Sequence, residues 1–266
     1  MNWMAIGVGI LFLICIIVGY VKGILRMGVS LVATIATIVL VMFISPYAAK
    51  MMHKWTPIDA MVETQCVKLF TPSITTETLL GSDLSGTALA DYNTDELAGL
   101  DLNNLDIDID DVAGLLGAIP KDQQIKAIEA SEVPDFLKSA LLENNNSESY
   151  SKLGVSDFPG YIATFISDVI INILAFLITF ILVTVIVRAL IVAVDIVSDL
   201  PVLGFATRIT GALAGGVTAL VIVWIFFLIL TPIYTTPIGT TCFKMIDANA
   251  FLSFLYSNNP ILDALM

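Results

Sequence analysis

The chain has 266 residues, 57% of them hydrophobic and only 14% charged, with a mean hydropathy of +0.91. Soluble domains run at roughly 45–50% apolar and about 25% charged, so a soluble globular enzyme, a disordered chain and a coiled coil are excluded. The formal net charge of −12 sits in one place: residues 50–157 hold 7 Lys against 19 Asp and Glu, and the remainder balances at 5 against 5.

Charge-free runs mark the membrane spans. Residues 1–21 carry no charged side chain before Lys22, and residues 27–49 none between Arg26 and Lys50. Residues 169–187 are uncharged between Asp168 and Arg188, and residues 209–243 between Arg208 and Lys244. A span needs about 20 apolar residues at a rise of about 1.5 Å each. The reading is therefore four spans, at about 3–21, 27–48, 161–187 and 209–231. The first is not read as a cleaved signal, because Lys22 and Arg26 follow the apolar stretch. Pro232 and Pro237 are expected to end or kink the fourth.

The fold class that follows is an all-α membrane protein. It is a four-helix transmembrane bundle with an acidic extracytoplasmic insertion of helices and loops between spans 2 and 3. Residues 1–49 hold helices 1 and 2, and 50–157 the insertion. Residues 158–236 hold helices 3 and 4 with an interfacial turn at 188–208, and 237–266 form an amphipathic tail. Basic residues flanking the spans are even: Lys22, Arg26, Arg188 and Arg208 in the short loops, and Lys50, Lys54, Lys152 and Lys244 on the opposite flanks. The first helix usually decides, and it has basic residues only after it. Both termini and the acidic segment are therefore expected on the extracytoplasmic side.

Within the insertion, Lys121–Ala130 and Pro134–Leu142 predict short helices, and residues 73–111 read as loop-like. The segment reads as a solvated acidic surface, or alternatively as a face for cations or basic peptides; it repels nucleic acid, so no such partner is expected. Asp106, Asp108 and Asp110 alternate as in a calcium loop. Asp111 stands where the loop needs Gly and Gly117 where it needs Glu, so no metal is expected there. The three cysteines and His53 have no metal-ligand spacing. Cys66 and Cys242 share a side and could form a disulfide if that side oxidises thiols. In the tail, Phe251, Phe254 and Leu255 are expected on one face, lying at the outer interface.

Three groups of span residues are candidates for function. Asp168 is the one carboxylate well inside a predicted span, with Asn172 and Thr179 following on its face. An ionised Asp near a span centre costs around 2.5–3.5 kcal/mol. It marks either a polar path for ions or protons or an interhelical hydrogen-bond cluster. Gly211 with Gly215, Gly216 one residue on, and Gly19 with Gly23 make small-residue faces for close helix packing inside the bundle or between copies. Ser30, Thr34 and Thr37 share one face of the second helix. Lys22, Arg26, Arg188 and Arg208 are basic groups expected at the cytoplasmic face. No nucleophile–base pair, dinucleotide loop or phosphate loop is present, so neither enzyme activity nor a cofactor is expected.

Two blocks resemble the CvpA (colicin V production) family. Gly19-Tyr20-Val21-Lys22-Gly23-Ile24-Leu25-Arg26 is similar to the family's turn after the first helix. Leu200-Pro201-Val202-Leu203-Gly204, followed by Arg208, Gly211 and Gly215, is similar to its second block. Pro134–Asn145 and Leu255–Pro260 resemble longer members from Gram-positive bacteria. Val21 departs from the family's basic residue, and Thr207 from its Asn. The resemblance implies a bacterial cytoplasmic-membrane protein tied to toxin production or export, or to envelope homeostasis. The expected activity is a non-enzymatic scaffold working on lipid and on other membrane or envelope proteins, with homo-oligomers as an option. The alternative is a small oligomeric transporter or channel with a polar path at Asp168 and Asn172.

Overall fold

The computed structural model describes residues 2–55, 120–131, 133–194 and 204–266, with 25–26, 191–194 and 204–206 by backbone alone. The 73–111 stretch, Asp106 to Asp111, Cys66, Asp195, Asp199 and Pro201 lie outside the described residues, as does the Arg26 side chain.

The described elements are all helical. They run α1 (Trp3–Trp55), α2 (Lys121–Ala130), α3 (Asp135–Asn144), α4 (Ser147–Leu153), α5 (Phe158–Val194), α6 (Gly204–Leu230), a single 3-10 turn (Thr231–Ile233), α7 (Pro237–Asp247), α8 (Ala250–Ser257) and α9 (Pro260–Asp263). Four segments are long and apolar enough to cross a bilayer: Trp3–Ile24, Met27–Trp55, Phe158–Leu190 and Thr207–Ile233. α1 is two spans joined at Gly23, whose φ of 71 and ψ of 169 break the helix where only glycine is unstrained. Pro232 sits in the 3-10 turn that ends α6, and Pro237 opens α7 at a first-turn position that needs no N–H.

The chain divides into two compact units, one of Met1–Met52 with Asn172–Met266, the other of His53–Ile171. In the second unit, α2 and α3 face each other through Ala127, Ile128, Leu137, Ala140 and Leu141, all buried. The Asn145 amide ties the pair by donating to Gln124 Oε1 at 2.9 Å. Asn145 ends α3, and Asn146 immediately opens α4 by accepting from the Ser149 N–H. Gly154 closes α4 in the left-handed region. Asp157 then caps α5, accepting the Gly160 N–H at 2.8 Å.

The start of α5 belongs to this core. Tyr161 is fully buried, donates its hydroxyl to the Leu141 carbonyl at 2.8 Å and stacks on Tyr150 at 4.8 Å. Residues 158–171 are buried apart from partly covered Thr164 and Asp168. Farther along, Ile178, Ile181, Leu182, Val185 and Ile186 are exposed. Protein therefore covers the first part of this helix, and the exposed apolar belt that suits lipid begins later.

The Tyr150 hydroxyl is buried without a partner. Burial first, and the Asp157 carboxylate second, push it up to about 12 from an ordinary 10.0. A raised folded-state value means that Tyr150 contributes its full stability below pH 10, and that this is lost as pH rises through about 12. Tyr150→Phe cannot ionise. It is expected to hold its helicity in that window where the wild type declines, with one late tyrosinate absorbance step missing.

In the first unit, the C-terminal helices close onto α6. The Trp224 indole donates to the Leu255 carbonyl, and the Asn259 amide donates to the Trp224 carbonyl, each at 3.1 Å. Thr231 and Tyr256 join hydroxyls at 3.1 Å, and Tyr256 meets Phe227 and Phe243 edge-on. In α8 the buried face is Leu252, Leu255 and Tyr256, while Phe251 and Phe254 are exposed. The tail face expected from Phe251, Phe254 and Leu255 is thus corrected by a rotation about the helix. Tyr256 is drawn inward by its hydroxyl, which bonds Thr231 in the turn after α6, and by its ring, which packs on Phe227 and Phe243.

Candidate intramembrane site

The glycine faces meet inside the first unit. A Cβ on Gly19 would strike the Gly211 carbonyl, and one on Gly211 the Gly19 carbonyl and, at 2.8 Å, the Gly23 backbone. Gly215 stands equally close to the Cys15 carbonyl. Span 1 and α6 therefore cross backbone to backbone, the approach that small residues permit. Gly216 makes only an ordinary contact, 3.9 Å from Ile16 Cγ1.

A cavity of about 320 Å³ lies between the second span, α5 and α6. Ser30, Thr34, Thr37, Thr184 and Thr218 line it, together with apolar Leu31, Phe180, Val221 and Ile225. Arg188 lines it as well and is exposed, as is Ile222. Thr34, Thr37 and Thr218 donate to the carbonyls of Ser30, Ala33 and Ala214, four residues back in their own helices. Thr184 differs: its hydroxyl is buried with no partner.

The other sequence candidates fall elsewhere. Asp168 lies 3.7 Å from His53 Nε2, within the second unit. Asn172, in the first unit, donates to the Leu265 carbonyl at 3.2 Å. Thr179 is buried, and neither Asn172 nor Thr179 lines the cavity. Lys22 and Arg208 are exposed. Cys242 is buried in α7, where burial pushes its thiol up. The Ser30, Thr34 and Thr37 face was visible in the sequence; the cavity was not, because it needs three helices brought side by side.

Residues 149–257 match the family model described as Colicin V production protein. That stretch resembles a Colicin V production domain. The matched stretch runs from within α4 through both later spans to the end of α8, so it includes Gly211, Gly215, Thr184 and Arg188. The four span-length helices among the described residues make the chain a multi-pass membrane protein, similar over this stretch to the Colicin V production family. Comparisons with curated proteins and with solved structures returned no match.

Proposed function

We propose that this protein is a non-enzymatic scaffold of the bacterial cytoplasmic membrane. It supports production or export of a toxin of the colicin V kind, or envelope homeostasis, by contacts with other membrane or envelope proteins. Both termini and residues 50–157 face outward. What supports the scaffold over a transporter is how the span carboxylate and amide are used. Asp168 sits beside His53 and Asn172 holds the Leu265 carbonyl, so both serve the fold itself. Such polar groups act as glue between elements.

Asp168→Asn tests the reading. A scaffold is expected to change in abundance or in crosslinked assemblies from native membranes. Loss of solute flux at unchanged abundance and unchanged crosslinks would establish the transporter instead. An alkaline-phosphatase fusion near residue 100 is expected to be active, and an inactive, well-expressed fusion would reverse the orientation.

A further inference from the structure

We propose that the cavity between the second span, α5 and α6 is a binding site for one anionic phospholipid, held by its phosphate at Arg188. The position fits a lipid. Ser30 lies three residues inside the span that begins at Met27, and Arg188 two residues inside the one that ends at Leu190. The cavity mouth therefore stands at headgroup level, on the side flanked by Lys22 and Arg208. From there the cavity runs along α5 to Phe180, about 12 Å at the rise of a helix. Its volume is in the range of small-ligand sites, roughly 300–1,000 Å³.

The chemistry changes along that length in the order a phospholipid does. Arg188 supplies a permanent guanidinium charge with planar donors suited to phosphate. One helical turn deeper, Thr184 lines the cavity and carries a buried hydroxyl that makes no hydrogen bond, a donor still available to the ester carbonyl of a glycerol backbone. A buried hydroxyl left unbonded carries an uncompensated desolvation cost, which an arriving acceptor relieves. Thr34, Thr37 and Thr218 have already given their protons to their own helices, so they ask nothing of a ligand. Beyond them Leu31, Phe180, Val221 and Ile225 offer the apolar wall that an acyl chain needs and a free anion does not. Basic pockets between spans are known to hold anionic headgroups in this manner. The assignment does not depend on the scaffold reading.

The test uses the full chain in nanodiscs of equal phosphatidylglycerol and phosphatidylcholine with matched acyl chains. Lipid that stays with the protein is counted by native mass spectrometry after release. The wild type is expected to retain phosphatidylglycerol about fivefold over phosphatidylcholine, the preference one basic residue gives near a headgroup. Arg188→Gln should remove that preference, and Arg208→Gln, outside the cavity, should keep it. Thr184→Val, isosteric and apolar, should lower phosphatidylglycerol retention about threefold with helicity unchanged. Ile222→Trp, filling the open side, should reduce retention of both lipids. Equal retention of the two lipids by the wild type would overturn the proposal. So would a loss in Arg208→Gln equal to that in Arg188→Gln, since the effect would then be general surface charge. Displacement of the lipid by inorganic phosphate would show a free-anion site and overturn it as well.

Discussion

Gly211→Val is expected to destabilise the first unit strongly. The new side chain has nowhere to go, because the atoms it meets are the Gly19 carbonyl and the Gly23 backbone. Neither can turn aside as the end of a flexible side chain would. Forcing the two helices apart costs about 3 kcal/mol and opens every contact along their seam. For a chain of this size that lowers Tm by roughly 6–12 °C. Gly19→Val should behave alike, and the pair should cost less than the sum of the two, since the first bulge already separates the helices. Gly7, Gly9 and Gly28 give the control, with nothing within 4 Å of a built Cβ. Alanine at those positions is expected to be neutral or to stabilise by up to about 1 kcal/mol. Thermal unfolding in detergent reads both results. Equal loss at Gly9 and Gly211 would refute the crossing.

The second large effect is expected at Asn259. Its side chain is completely buried and serves two ends at once. The oxygen accepts the N–H groups of Ile261 and Leu262 to start α9, while the amide donates to the Trp224 carbonyl of α6. Asn259→Leu removes the cap and the tether together. The expected cost is about 2–4 kcal/mol, one cap plus one buried hydrogen bond and the groups left unpaired. Asn258 is exposed and bonds only to its own helix, at Phe254, so Asn258→Ala should cost under about 0.5 kcal/mol. Trp224 reports the difference directly. With exposed Trp3 and Trp55 replaced by Phe, its emission should move when Asn259→Leu releases Leu255 from the indole, and stay put in Asn258→Ala. Emission unchanged in both would mean that the tail is held by other contacts.

The spans were legible because lipid imposes a single long requirement, an uncharged run of sufficient length. Lys22, Arg26, Lys50, Asp168, Arg188 and Arg208 punctuate the sequence near the ends of those runs. The breaks were readable for the same local reason: Gly23, Pro232 and Pro237 act on their own backbone. Short helices α2 and α3 were also visible. What stayed hidden depends on partners distant in sequence. α4 was not read at all: Asn146 begins it directly after α3, because one side chain can cap the next helix as soon as the last one stops. Asp168 was read inside a span and lies within Phe158–Leu190, but its neighbour His53, distant in sequence, was not readable. Thr184 carried no signal at all, since an unpartnered hydroxyl is a property of its surroundings.

The meeting of Gly19 with Gly211 also dictates a schedule for synthesis. The two residues are separated by nearly the whole polypeptide, and a ribosome adding about 5–20 residues per second takes roughly 10–40 s to travel from one to the other. Throughout that interval the first hairpin waits in the bilayer with its groove unfilled. Any neighbouring helix with a similarly narrow ridge competes for it, including one from another nascent copy. Assembly of this protein is therefore a race that its last span must win, and slowing translation between the two hairpins lengthens the odds against it.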